Sequence, residues 1–248
     1  MATSPGPAER VFARLAEPFT AEAVFDCLPD AVYFIKNERA RYVVVNRTLV
    51  DRCGLPGKHA LIGKTAAQVF REPLGTTYWQ QDLKLLATGK PIDNELELHL
   101  YPTGLVGWCL TNKMPLRDAH GTVVGLVGVS HDLHLPNEDS DEYRDVVAAV
   151  RHAQSHLGGN LTVGLLAKVA RLSPWQFDQR IRRLFRLTTG QLLLKLRMDH
   201  ATAQLRETDR PIATISLSSG YADQSAFTRQ FHRAVGMTPA EFRKSFRG

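Results

Sequence analysis

The strongest constraint on the fold is a repeat near the end of the chain, in which one helical pattern occurs twice about fifty positions apart. Leu166-Ala167 is matched by Ile215-Ser216, which lies 49 residues further on. Six further positions correspond at an offset of 50: Phe177, Ile181, Arg186, Leu187, Thr188 and Thr189 match Phe227, Phe231, Gly236, Met237, Thr238 and Pro239. Each copy has the pattern of a short helix, a tight turn and a longer helix, so the sequence predicts two helix-turn-helix units.

The longer helix of the first copy begins with a clear start signal. Ser173-Pro174-Trp175-Gln176 has the form of a capping box with proline at the first helical position. Phe177, Ile181 and Leu184 are spaced to face the core, which leaves the opposite face to solvent. Four residues on that outward face are predicted to contact DNA bases: Trp175, Asp178, Gln179 and Arg182. An exposed tryptophan can pack on thymine methyl groups while glutamine and arginine reach base edges.

The second copy repeats this arrangement after a turn at Gly220. Phe227, Phe231 and Val235 are spaced to point inward. The outward residues predicted to contact bases are Gln224, Ser225, Thr228 and Arg229. Cations around the two longer helices are predicted to contact phosphates: Arg171, Arg183, Arg186, His232 and Arg233. Between the copies, residues 191–206 are expected to form a rod about 24 Å long, which suits two helices in major grooves about 34 Å apart.

The charge distribution supports a polyanionic partner for the back half. Residues 1–136 have no net charge, residues 137–145 have a net charge of −4, and residues 146–248 have a net charge of +10. Most of the cations in the last segment are arginines, which favour directed contacts with phosphates and base edges. We therefore expect double-stranded DNA as a partner.

The front half predicts a mixed α+β domain. Residues 31–36 and 41–46 are short β-branched and aromatic runs that form a predicted hairpin, and Asn46 is placed to cap the helix that follows. Several short helices follow, with a longer one over residues 77–87. Three more strands are predicted over residues 95–101, 106–113 and 122–130. Beyond Asp145 the pattern is entirely helical, so the C-terminal part is expected to be an all-α domain.

Both halves resemble known families. The segments LPDAVYFIKN, RYVVVN, LIGKTAAQVF, TGKPIDNE and GWCLTNKMPLRDAHGTVVGLVGVSHD resemble the PAS sensor fold over about 105 residues, which implies a five-stranded antiparallel sheet with short helices. KLRMDHATAQL (195–205) resembles the linker helix of the AraC/XylS-type DNA-binding domain, and ISLSSGYADQSAFTRQFHRAVGMTPAEFR (215–243) resembles its signature. This second resemblance implies that Trp175, Asp178 and Gln179 contact bases in the first unit, and Gln224, Ser225, Thr228 and Arg229 in the second.

The first unit departs from the family pattern at three positions. Arg171 and Arg186 stand where glycine is usual, and Thr189 stands in place of the expected proline. A residue other than glycine in the left-handed region costs about 1 kcal/mol. We therefore expect a looser first unit that relies more on phosphate contacts from Arg171 and Arg186, and a better-supported second unit.

The resemblances define the domains and the partners that we expect. The N-terminal extension covers residues 1–19, the PAS-like sensor domain 20–135, an acidic linker 136–145, and the DNA-binding domain 146–248. The PAS domain is expected to sense a small-molecule effector or another signal, to mediate homodimerisation, or both, and the family resemblance adds RNA polymerase as a partner. Three aromatic residues are candidates for lining an effector pocket: Tyr33, Trp79 and Trp108. No cofactor is identified.

Several classes of function have no support in the sequence. There is no nucleophile elbow, phosphate loop, HExxH or paired-carboxylate motif, so we predict a transcription regulator and no enzyme. Histidine pairs lack a third metal ligand, and no metal site is predicted. Three cysteines outside any C-x-x-C motif, no long apolar run and no signal peptide favour a cytoplasmic protein that does not enter a membrane. Two alternatives stay open: the PAS part is a protein-interaction module without ligand, or it is an enzymatic domain targeted to DNA.

Overall fold

Five antiparallel strands form a sheet in the front half of the chain, in the order β2-β1-β5-β4-β3. The computed structural model describes residues 6–103, 106–133 and 141–247. The strands are β1 (Ala31–Asn37), β2 (Tyr42–Val45), β3 (Ile92–Leu100), β4 (Val106–Arg117) and β5 (Val123–Asp132). The predicted five-stranded antiparallel sheet is therefore confirmed.

Short helices precede, follow and cover the first strands. They are α1 (Pro7–Phe12), α2 (Glu22–Asp26), α3 (Arg47–Arg52), α4 (Ala66–Val69) and the longer α5 (Leu74–Thr88). Asn46 performs the predicted capping role: its side-chain oxygen accepts hydrogen bonds from the Leu49 N–H, at 3.3 Å, and from the Tyr33 N–H, at 2.9 Å. A single amide thus joins the end of β2, the start of α3 and strand β1.

The two faces of the sheet belong to two different apolar clusters. Val32 and Phe34 of β1 point toward α3 and α5 and pack with Leu49, Leu85 and other buried residues of the front domain. On β3, Leu96 and Leu98 point the other way, because successive side chains of a strand lie on opposite faces.

The C-terminal half consists of helices. They are α6 (Asp141–Ser155), α7 (Val163–Val169), α8 (Pro174–Phe185), α9 (Thr189–Glu207), α10 (Ile212–Ser218), α11 (Gln224–Val235) and α12 (Pro239–Arg247). The sequence repeat corresponds to a structural one, since α7 and α10 differ in position by 49 residues and α8 and α11 by 50. Helix α6 begins at Asp141, within the stretch 136–145 that was interpreted as an acidic linker, and residues 136–140 of that stretch lie outside the described residues.

The C-terminal helices pack against the outer face of β3 and β4. Leu96, Leu98 and Trp108 belong to the same apolar cluster as residues of α6, α9, α11 and α12. Polar contacts reinforce this packing: Trp108 Nε1 donates to Asp199 of α9 at 2.6 Å, and Thr77 Oγ1 of α5 donates to the Gly236 carbonyl at 2.8 Å. The linker predicted between the two halves gave no indication of this interface.

Candidate nucleic-acid interface

Helix α8 is positioned by its caps and by its buried face. Ser173 accepts from the Gln176 N–H, and the Gln176 side chain accepts from the Ser173 N–H, which is the predicted capping box. Phe177 and Ile181 are fully buried. Because these residues fix the rotation of the helix, Trp175, Gln179 and Arg182 are directed to solvent, with Trp175 71% exposed. An apolar ring of this size is costly to leave in water unless it has a partner.

Asp178 differs from its neighbours on α8, because its carboxylate is already bound within the protein. Oδ1 accepts from the Thr189 N–H at 2.9 Å and from the Thr189 hydroxyl at 2.8 Å. Oδ2 accepts from Arg182 Nε at 2.7 Å. Burial would raise the pKa of Asp178, but these hydrogen bonds and the Arg182 charge lower it. These contacts give Asp178 a structural role that joins α8 to the first turn of α9, which the base-contact prediction had missed.

Helix α11, like α8, has a side-chain cap at its N-terminus and one buried apolar face. Asp223 caps it by accepting from the Ala226 N–H at 2.7 Å, and Phe227, Phe231 and Val235 are buried, as predicted from their spacing. Gln224, Ser225, Arg229 and His232 are exposed, and Thr228 is half-buried. The predicted base-contacting residues of the second unit therefore lie on one solvent-facing side of the helix.

Arginines occupy the left-handed backbone positions of the first unit that glycines occupy in the second. Arg171 has φ 58° and Arg186 has φ 59°, while Gly220 and Gly236 each have φ 82°. The strain predicted for the two arginines is thus present in the backbone. Both side chains are exposed, as is that of Arg183.

Arg233 is held by the front domain. Its Nε donates to Glu95 Oε1 at 2.6 Å and its Nη2 to Oε2 at 2.9 Å, so the pair is bidentate. The Arg233 side chain is 67% exposed and that of Glu95 24%. The hydrogen bonds and charge of Glu95 raise the pKa of Arg233. Glu95 therefore binds the guanidinium that was predicted to contact a phosphate.

A cavity inside the front domain is lined by residues other than the three that were predicted. Tyr33, Trp79 and Trp108 are absent from its lining, which includes Phe34, Tyr78, Thr111 and Lys113. Tyr33 instead donates to the Thr20 carbonyl at 2.7 Å and stacks on Phe25. Trp108 lies on the outer face of the sheet against α9. The prediction was wrong because on β1 and β4 it selected the aromatic residue whose side chain points away from the cavity.

Beside the cavity lies a network of buried ionic groups that was not predicted from the sequence. Asp82 of α5 lies between Lys36 and Lys113, and its carboxylate accepts from Lys113 Nζ at 2.6 Å and also from Lys36 Nζ. Burial alone would raise the pKa of Asp82, but the charges of Lys113 and Lys36 hold it below its ordinary value. Alternation along β3, in which Leu96 and Leu98 flank Glu97, is the signal that could have placed Glu97 on the inner face.

Glu97 and His99 form a second buried pair beside this cluster. His99 Nε2 lies 3.0 Å from a Glu97 oxygen, and Gln81 Nε2 donates to the other oxygen at 2.8 Å. Burial would raise the pKa of Glu97, but His99, Lys113 and Gln81 lower it to about 2. Burial disfavours a charged His99 ring, yet the polar groups around the ring raise its pKa well above the ordinary value.

Two further observations concern only the described part of the chain. Within residues 6–103, 106–133 and 141–247, no helix has both the length and the apolar character required to cross a bilayer. In the same ranges, no three histidine, cysteine or acidic side chains are grouped closely enough to hold a metal ion.

Two different protein families match the two halves of the chain. A helix-turn-helix domain family matches residues 166–245, and a PAS fold family matches residues 25–134. The two matched segments contain the repeat and the five-stranded sheet described above.

Individual proteins are similar to different shares of this chain. The regulatory protein SoxS of Salmonella typhimurium is 32% identical over 88 residues, which cover 36% of this chain and 82% of SoxS. The melibiose operon regulatory protein of Escherichia coli is 27% identical over 195 residues, which cover 75% of this chain and 58% of that protein. The C-terminal domain of AraT, a response regulator from Geobacillus stearothermophilus, is 29% identical with a TM-score of 0.41, and the match covers 43% of this chain and 88% of AraT's.

Proposed function

Because this chain belongs to the AraC-type family of DNA-binding transcription regulators and carries a PAS domain, we propose that α8 and α11 bind successive major grooves of promoter DNA. In this proposal Trp175, Gln179 and Arg182 contact bases from the first unit, and Gln224, Ser225, Thr228 and Arg229 from the second. Arg171, Arg183, Arg186 and His232 contact phosphates, and Arg233 does so when it is released from Glu95.

The solvent-facing sides of α8 and α11 are the observation that carries this proposal. Trp175 and Arg229 are both exposed, on two helices that occupy equivalent positions of the repeat. Their exposed partners are amide, hydroxyl and guanidinium groups, which are the groups that form hydrogen bonds with base edges in the major groove. The spacer α9 has 19 residues, about 28 Å of helix.

Substitution of Arg229 tests the proposal in the full-length protein. DNA duplexes are first selected from a random pool with the unmodified chain, and affinities are then measured by fluorescence anisotropy. Arg229→Ala is expected to weaken binding to the selected duplex by about 1–3 kcal/mol and to relax the preference at one base pair. Arg151→Ala removes the same charge from an exposed site on α6, outside the repeat, and is expected to leave selectivity unchanged. Unchanged selectivity in Arg229→Ala would show that this helix face does not contact bases.

The front domain is proposed to sense a small molecule that binds in the PAS cavity, without catalysing a reaction. Buried ionic groups around an internal space favour this role over a protein-interaction module without ligand, because an unoccupied core is more stable when it is apolar. Exposed apolar residues near the N-terminus, including Val11, Phe12 and Phe19, support a homodimer formed by the front half. RNA polymerase as a partner and a cytoplasmic location follow from the proposed role at promoters.

A further inference from the structure

The cavity of the PAS domain has an unusual balance of charges. Lys36 and Lys113 share one carboxylate, that of Asp82, and all three side chains are nearly inaccessible to solvent, with side-chain exposures of 2%, 6% and 0%. Removing an ammonium group from water is costly unless a counter-charge replaces its hydration. The neighbouring Glu97 carboxylate is already bound by His99 and Gln81. Among the described residues, Asp82 is therefore the only carboxylate in direct contact with either lysine.

Several hydrogen-bond donors at this site also have no acceptor among the described residues. An ammonium group has three donors. Lys36 donates to Asp82, and its Nζ otherwise faces the rings of Tyr42, at 4.1 Å from the centroid, and Phe34, at 5.0 Å. Lys113 donates to Asp82 and Gln81. Each lysine thus keeps at least one donor for which the described residues provide no acceptor.

Tyr78 adds a third donor without a partner. Its hydroxyl is buried and makes no hydrogen bond, although the ring lines the same cavity. Burial raises the pKa of Tyr78, so the hydroxyl keeps its proton and can donate. A buried hydroxyl without an acceptor destabilises the protein, and an incoming acceptor would remove this penalty.

The remaining walls and the size of the space limit what can enter. Phe34, Tyr42 and Phe70 provide aromatic surface beside the polar groups. The cavity volume is about 40 Å³. This space corresponds to about three ordered waters, so a ligand has few atoms or displaces some of the surrounding side chains.

We propose that the PAS cavity binds a small organic monocarboxylate. The carboxylate oxygens accept hydrogen bonds from Lys36, Lys113 and Tyr78. The short apolar part of the ligand lies against Phe34, Tyr42 and Phe70. The inference rests on the proposed sensing role of the PAS domain and adds the chemical class of its ligand. A carboxylate supplies both features that the cavity lacks, a negative charge and acceptor oxygens. A primary amine would supply the wrong charge, and the corresponding amide would supply an acceptor without the charge.

Calorimetric titration of the full-length protein with a matched series of ligands tests this assignment. The series is acetate, propionate and butyrate, with propionamide and propylamine as ligands of nearly the same size. At least one carboxylate is expected to bind with Kd near or below about 1 mM, the amide at least about tenfold more weakly, and the amine not at all. Equal binding of amide and carboxylate, or no binding of any carboxylate, would overturn the assignment.

Two variants test whether the binding site is this cavity. Tyr78→Phe removes only the unpartnered hydroxyl, so the fold is expected to persist and carboxylate affinity to fall about fivefold to tenfold. Trp79→Phe alters the adjacent residue, which does not line the cavity, and is expected to leave carboxylate affinity unchanged. If Tyr78→Phe binds carboxylate as tightly as the unmodified protein, the ligand is bound elsewhere and the assignment fails.

DNA binding, measured on the same preparation without ligand, keeps this test separate from the proposed function. A protein that binds its selected duplex but no carboxylate would refute only the ligand class. A protein that binds carboxylate but no DNA would refute the role of α8 and α11 and leave the cavity assignment standing.

Discussion

Release of Arg233 from Glu95 is expected to strengthen DNA binding. Glu95→Gln keeps the size of the side chain and removes the charge that holds the guanidinium at 2.6 and 2.9 Å. Both partners retain access to solvent, so the pair contributes at most about 1 kcal/mol, and its bidentate geometry places it in the upper half of that range. In the Glu95→Gln variant, Arg233 does not have to break an ion pair before it contacts a phosphate. The affinity of this variant for DNA should therefore be about twofold to fivefold higher.

Salt dependence gives this prediction a second readout. If the freed Arg233 contacts a phosphate, the slope of log affinity against log salt should become steeper by about 1. Fluorescence anisotropy with one labelled duplex at several KCl concentrations measures both the affinity and the slope. The two quantities must change together, because both depend on the same additional phosphate contact.

Asp93→Asn provides the matched control. Asp93 is exposed on the same strand, and its carboxylate accepts from Asn94 Nδ2. The substitution removes one negative charge from β3 and leaves the contacts of Arg233 intact. It therefore reports the general effect on DNA affinity of removing a negative charge from this strand. The reasoning is refuted if Glu95→Gln changes affinity no more than Asp93→Asn does, or if Glu95→Gln gives the same gain in an Arg233→Gln background.

Two further predictions concern stability. Asp178→Ala removes the hydrogen bonds to Thr189 and should lower the free energy of unfolding, measured by urea denaturation, by about 1–2 kcal/mol. Gln179→Ala, at the exposed neighbouring position, should weaken DNA binding and leave stability unchanged; a fully stable Asp178→Ala protein would contradict the structural role. The pKa of Glu97 is lowered from an ordinary 4.5 to about 2, so the unfolded chain binds more protons than the folded one between these pH values. The ionised Glu97 carboxylate stabilises the folded protein fully above pH 4.5, and this stabilisation is lost as the pH falls toward about 2. Glu97→Gln should therefore reduce the acid-dependent loss of stability, measured by thermal unfolding from pH 5 to pH 2, by on the order of 1–3 kcal/mol relative to the unmodified protein. Glu38→Gln, at an exposed turn, should not reduce this loss, and equal pH profiles for Glu97→Gln and the unmodified protein would contradict the buried-pair interpretation.

Local patterns in the sequence were sufficient for much of the fold. The capping box at Ser173 and the β-branched runs each act over a few residues, and the 49- and 50-residue offsets show that one such local pattern occurs twice. The structure confirms the helices and strands that these patterns predict. The burial of Phe177, Ile181, Phe227 and Phe231 follows from helical spacing alone.

The contacts that the sequence did not predict join residues far apart in the chain. Arg233 and Glu95 are separated by 138 positions, and Trp108 and Asp199 by 91. Such pairs depend on how two folded units pack, and a single sequence carries no periodic signal for that. The cavity was missed for a different reason, since a shift of one residue along a strand exchanges its inner and outer faces, as at Tyr33 and Phe34.

Strand β3 separates the cavity of the front domain from the C-terminal helices. Glu97 and His99 face the cavity, while Leu96 and Leu98, their immediate neighbours, touch the helical domain. Glu95, on the same strand, binds Arg233 near the end of α11. A ligand in the proposed cavity site would therefore be separated from the C-terminal helices by a single strand.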